Sequence, residues 1–164
     1  MGEWRAPACR RSSRRDQRGA AAVEFALVAP VLFSLVFGII GFGFVFAQEL
    51  SLGNGARQGA RYGVVANRTC SDIYSETRNG SQTVNLNPSQ VRVVVTLGTD
   101  ESTATTQCDS QTSATDLVKP CSGSSTGDNL YVYANFKSTV SVPLLPISGQ
   151  VPLQGKGVFR CESS

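Results

Sequence analysis

Histidine is absent from this 164-residue chain. Its absence removes the Ser-His-Asp and Cys-His arrangements that activate a nucleophile, and the commonest neutral metal ligand. The five cysteines include no CxxC pair, so the spacing of a structural zinc site is missing. No glycine-rich phosphate loop or paired-carboxylate motif occurs, and Asp100, Asp109, Asp116 and Asp128 lack the alternation of a calcium loop. No catalytic residue, no metal site and no cofactor is expected. Charge is sparse, at 16% of residues, and what there is sits unevenly. Six of the 15 basic residues, Arg5, Arg10, Arg11, Arg14, Arg15 and Arg18, precede Gly19, opposed only by Glu3 and Asp16, so this leader carries +4 and the remainder −1. An arginine cluster that abuts an apolar stretch reads as a topology signal, and no nucleic-acid partner is expected.

The apolar stretch, residues 20–47, reads AAAVEFALVAPVLFSLVFGIIGFGFVFA and holds one charge, Glu24. Without its first five residues it is still about 35 Å of helix, enough to cross a hydrocarbon core of roughly 30 Å. Arginines before it orient its amino end inward, which makes the chain a single-pass protein of the cytoplasmic membrane and membrane lipid a partner. Three fates follow. Cleavage after Ala47 would release a secreted protein, although the stretch is longer than a secretory signal needs. Retention would leave an uncleaved anchor with an outward ligand-binding domain. Cleavage between Gly19 and Ala20 would make Glu24 the fifth residue of the mature chain; glycine adds no side chain at a scissile bond that must be admitted extended. A carboxylate in an apolar helix is costly in lipid and signals a partner, for which the new amino group on Ala20, of the same or a neighbouring chain, is a candidate.

Gly19 followed by Glu24 and an apolar helix is similar to the prepilin-peptidase signature of type IV pilins. More closely, RGAAAVEFALVAPVLF from Arg18 with NGARQGARYGVV from Asn54 resembles the TadE-like family of tight-adherence (Flp-type) pilus systems. The resemblance covers close to a third of the chain. It implies a non-catalytic minor pseudopilin or pilus-assembly component, possessing Gly19 and Ala20 as the processing site and Glu24 and Phe25 as subunit-assembly residues. Its implied partners are a prepilin peptidase, other pilin-like subunits and the pilus assembly machinery. Asn54, Arg57 and Arg61 belong to the recurring second motif, on the outer part of the helix.

The helix is expected to continue through residues 48–66. Ala56, Ala60 and Val64 recur every four residues on one face, ready to pack on a sheet of the same chain or on a sister helix. Gly53, Gly55, Gly59 and Gly63 each weaken a lone helix by up to about 1 kcal/mol, a cost that close packing would offset. Pro30 is expected to kink or loosen the helix.

Residues 67–164 read as an extracytoplasmic β-rich domain. Residues 71–78 suggest a short helix with a serine cap, and residues 91–97, 129–142 and 157–161 suggest strands. The expected fold is α+β: a long transmembrane helix continuing into a small domain with about three antiparallel strands. Residues 142–147, VPLLPI, read as a strand interrupted by prolines. Residues 99–128 hold 13 Ser or Thr and read as a long loop, the leading candidate for partner contact. Cys9 falls on the cytoplasmic side, whereas Cys70, Cys108, Cys121 and Cys161 form an even set outside, suited to two disulfides. Three pairings are possible; the preferred one joins Cys108 to Cys121 across the loop and Cys70 to Cys161.

Overall fold

The computed structural model describes residues 14–65, 67–83, 86–141 and 148–162. Cys9, most of the basic leader and the proline-interrupted stretch at 142–147 therefore lie outside the described residues. The first element, α1, is one helix from Arg14–Gly63, 50 residues long, or about 75 Å at 1.5 Å per residue. Pro30 lies inside it without ending it, and nearby Ser34 Oγ donates to the Val31 carbonyl at 3.1 Å. A second helix, α2, spans Cys70–Gly80. Then come a 3-10 turn at Pro88–Gln90 and strands β1 (Arg92–Gly98), β2 (Thr105–Asp109), β3 (Asn129–Ser141) and β4 (Ser148–Arg160). A second 3-10 turn, Ser113–Thr115, follows β2.

The α+β reading holds, with a sheet of four antiparallel strands in the order β2-β1-β3-β4. The additional strand, β2, comes from inside the Ser/Thr-rich stretch expected to be a loop. Its five residues lack the β-branched apolar run of β1; register against Val94, Val95, Thr96 and Leu97 makes them a strand. The last strand also starts earlier than residue 157. Thirteen residues of β4 pair with thirteen of β3, although two of its glycines and Pro152 disguise it in the sequence.

The short helix is capped by Thr69, not by a serine. Thr69 Oγ1 accepts from the Asp72 backbone N–H, and Asp72 Oδ2 accepts from the Thr69 backbone N–H at 3.0 Å, so two orphan amides are satisfied reciprocally.

One core joins these elements. Val91, Val93 and Val95 point inward with Leu130, Val132, Ala134 and Phe136 of β3, as period-two alternation requires. Across from them lie Leu52, Ala56 and Ala60 of α1 and Val64 just past its end, so the four-residue stripe packs on the sheet of its own chain. Strand β4 carries glycine where it meets this helix: a Cβ on Gly155 would lie 2.2 Å from the Leu52 carbonyl carbon, and one on Gly157 2.2 Å from the Ala56 oxygen. On the other flank Gly55 and Gly59 face Ser81 and Thr77 of the α2 region so closely that a Cβ would come within 1.9 Å of each hydroxyl. Of the helix-weakening glycines of the sequence, Gly55, Gly59 and Gly63 are thus points of close approach, to Ser81, Thr77 and Ile73, whereas a Cβ on Gly53 would have nothing within 4 Å.

The disulfides differ from the expected pairing. Cys70 joins Cys108, with Cα atoms 6.1 Å apart, and Cys121 joins Cys161, with Cα atoms 5.6 Å apart. Formation of β2 is the physical reason. It carries Cys108 into the core, fully buried beside the start of α2, and leaves Cys121 near the end of β4, where the Cys161 N–H donates to the Asp128 carbonyl at 3.0 Å.

Candidate functional site

The amino-terminal part of α1 presents its apolar side chains outward. Phe25, Leu27 and Phe42 are 70%, 72% and 74% exposed, and the most apolar 18-residue window of Gly19–Gly63 has a mean hydropathy of 2.5 with 6% of it buried. A soluble protein's core helix would hide such a face. By length and composition this helix is able to cross a membrane, and it is the one such helix among the described residues.

Gly19 and Ala20 lie within α1, both exposed, and nothing stands within 4 Å of where a Cβ on Gly19 would be. The backbone at this point is helical rather than extended. Glu24 and Phe25 follow on the exposed helix. Asn54, Arg57 and Arg61 are exposed too, on the face of α1 turned away from Leu52, Ala56 and Ala60. They stand about 44–54 Å along the helix from Phe25, so the structure does not bring the two groups together. Gln58, on the α2 side, donates to the Glu76 carboxylate.

Polar clusters that the sequence did not single out hold the outer domain together. Glu101, in the β1–β2 connection, accepts from Lys156 Nζ and, at 2.8 Å, from Tyr133 Oη. The Lys156 hydrogen bond, joined by that of Tyr133, holds the Glu101 carboxyl below its usual range. Burial first, then the Glu101 hydrogen bond, pushes the Tyr133 hydroxyl up to about 12. Arg92 grips Asp109 through two hydrogen bonds, one from Nε at 3.1 Å, and this keeps the Asp109 carboxyl low. The cue in the sequence is weak: cross-strand register alone makes neighbours of residues 17 to 55 positions apart.

A cleft of about 1540 Å³ opens between α1 and the end of the sheet opposite the disulfides. Gly41, Phe44, Val45 and Gln48 form its helical wall, and residues 135–140 of β3 with Gln150 and residues 152–154 of β4 its sheet wall. No sequence pattern announced it. Three or more His, Cys, Asp or Glu side chains able to share a metal are not found among the described residues.

One apolar helix, a candidate membrane span, with a disulfide-bonded α+β domain on its carboxyl end fits the class of proteins anchored by an amino-terminal segment. Residues 19–61 match the family model described as TadE-like protein, in agreement with the resemblance carried by the two motifs. The match points to a protein associated with tight-adherence pili. It covers the anchor and the helix as far as Arg61, and leaves the sheet outside. No curated protein and no solved structure matches the chain significantly.

Proposed function

We propose that this chain is a non-catalytic, pilin-like minor pseudopilin that takes part in assembling a tight-adherence pilus. It inserts in the cytoplasmic membrane with its amino end inside, is cut between Gly19 and Ala20 by a prepilin peptidase, and then joins other pilin-like subunits. The observation that carries this reading is the coincidence of the TadE-like match, which begins at Gly19, with the helix whose large apolar side chains stay uncovered. A helix so exposed needs lipid before assembly and sister helices after it. Glu24 supplies the specificity: a carboxylate paired with a neighbour's Ala20 amino group would reward the correct axial register and penalise others.

Amino-terminal sequencing of the protein from its native host is the direct test. Ala20 as first residue supports the reading, whereas Met1 or Gln48 would sink it. The cleft beside α1 favours a second reading, an uncleaved single-span protein whose outward domain binds a ligand. Met1 as the first residue of a functional protein would select that one.

A further inference from the structure

Two contacts set the height of the sheet along the helix. Gly155 lies against Leu52 and Gly157 against Ala56. Two strand residues rise about 6.6 Å and four helical residues about 6 Å, so β4 runs beside α1 nearly in step. The first residue of β4, Ser148, is about 23 Å from Gly155 toward the amino end of the helix, which equals about fifteen helical residues from Leu52. Ser148 and its partner Ser141 therefore stand level with Phe37. Gln150 and Gly41, which line the cleft together, agree with this register.

Solvation then bounds the membrane-embedded part of α1 on both sides. Because β1 begins at Arg92, opposite Asn135, the rest of β3 pairs with β4 alone among the described residues, and this end of the hairpin has an open edge on either side. Open sheet edges do not occur in hydrocarbon, where their N–H and C=O groups find no partner. The hydrocarbon core thus ends no farther along the helix than Phe37. At the inner side the charge of Arg18 sets the limit. From Arg18 to Phe37 the helix rises about 29 Å, which matches a core of roughly 30 Å.

The apolar run continues past that limit. Ile39, Phe42 and Phe46 stand about 3, 8 and 14 Å beyond Phe37, whereas the headgroup layer is about 5–7 Å deep. Their exposures of 66%, 74% and 54% show that their own domain does not cover them. At 3.6 residues per turn they share a face about 130° from Gly41, Val45 and Gln48, which look toward the sheet. The two phenylalanines alone leave about 250 Å² of apolar surface uncovered, and with Ile39 the patch reaches the size that marks an interaction site. Nothing lies within 4 Å of a Cβ on Gly43, so a second helix can approach closely here.

Height and charge select the occupant. A second copy in the same membrane is bounded by the same arginine and the same strand ends, so its stripe stands at the same level and points the same way. No charge occurs between Glu24 and Glu49, so two copies meet without like-charge repulsion, their sheets on the outer sides. We propose that Ile39, Phe42 and Phe46 form a docking surface for the same stripe of a second copy, making the chain a parallel dimer in the membrane. Confinement to one bilayer raises the effective concentration of the two stripes, so a contact of this size suffices. The inference rests on the membrane-spanning reading of α1 and adds to it the identity of a partner.

The test places the photo-cross-linking residue p-benzoylphenylalanine at Phe42, Phe46 or Phe44 of the full chain, in membranes of a bacterium without pilus genes. Phe44 lines the cleft and serves as the control. Irradiation is expected to give a dimer resistant to reducing agent from Phe42 and Phe46, and little from Phe44. Phe46→Glu sets like charges face to face and should lower the dimer yield from Phe42 by on the order of ten-fold, with insertion retained. Equal yields at the three positions, no dimer, or a dimer indifferent to Phe46→Glu would overturn the proposal. So would adducts only with another protein, or with phospholipid at Phe46, since each gives the stripe a different occupant. Alkaline carbonate extraction separates the two readings: a chain that stays in the membrane pellet without dimer loses the pairing alone, whereas an extracted chain loses the spanning reading together with it.

Discussion

Replacing Gly155 by alanine is the sharpest probe of how the outer domain is fastened to its helix. The added methyl would sit 2.2 Å from the Leu52 carbonyl carbon, 2.3 Å from its oxygen and 2.4 Å from the Gly53 nitrogen. These are backbone atoms, so no rotamer change relieves the overlap, and the helix must separate from β4 by about 1 Å to restore van der Waals contact. Separation on that scale unpacks the neighbours as well: Gly157 meets Ala56 one turn along, and Leu52 and Ala56 are fully buried. Overpacking of this kind costs about 1–3 kcal/mol. For a domain of about 100 residues that lowers the midpoint of thermal unfolding by roughly 5–20 °C. Near-ultraviolet circular dichroism of the full chain in detergent, disulfides intact, reads it out. Gly149→Ala in the same strand is the control, because nothing lies within 4 Å of its Cβ position. An unchanged midpoint for Gly155→Ala, or an equal drop for both variants, would refute the direct backbone contact between α1 and β4.

The remaining predictions concern the disulfides, the cap, pH and Glu24. Non-reducing peptide mapping should return Cys70 with Cys108 and Cys121 with Cys161; each closes a loop of about 40 residues, for which chain entropy gives about 4 kcal/mol, so a Cys121→Ala/Cys161→Ala variant should lose stability on that order in chemical denaturation. Thr69→Ala removes one arm of the reciprocal cap and should cost about 1 kcal/mol, read as a shifted urea midpoint with an unchanged slope. The carboxyl groups of Asp72, Glu101 and Asp109 are lowered in the fold, by the Thr69 backbone, Lys156 and Arg92 respectively. The unfolded chain therefore binds protons more readily, so their contribution is complete above about pH 4–5 and fades as pH falls through the folded values; urea midpoints at pH 7 and pH 3 should show the loss, reduced in Glu101→Gln. At the alkaline end the sign reverses. Tyr133 is raised from 10.0 to about 12, and its contribution, present below pH 10, disappears as pH climbs toward 12, which Tyr133→Phe should abolish. Glu24→Ala should still be cleaved after Gly19 yet fail to enter the assembled pilus; normal incorporation would remove its pairing role.

Local patterns in the chain carried a good deal of this architecture. The charge-free run after Glu24 and the four-residue recurrence of Ala56, Ala60 and Val64 act between near neighbours, so periodicity alone marked the helix and the face it buries. The alternation around Tyr131 and Tyr133 marked β3 for the same reason. Strand β4 was readable only at its end, because Gly149, Pro152 and Gly155 carry the opposite propensity. Gly155 and Gly157 are there because a helix backbone lies on the strand, a fact of the tertiary structure. Likewise, helix α2 was legible, but its cap lay at Thr69, two residues earlier than the serine that suggested it.

By itself the sequence determined that this protein has an anchor with basic residues ahead of it, an apolar helix interrupted by one carboxylate, and a cysteine-bonded α+β domain beyond. All of these follow from residue type and short spacing, which set solvation and local backbone preference. Only the tertiary structure decided that Cys108 belongs with Cys70, that Glu101 meets Tyr133 and Lys156, and that a cleft lined by Lys137 stands beside Gly41. Each depends on strand register and on how closely α1 approaches β4. Register places residues together from distant parts of the chain through backbone hydrogen bonds that every residue type can make, and no short pattern of side chains records the result.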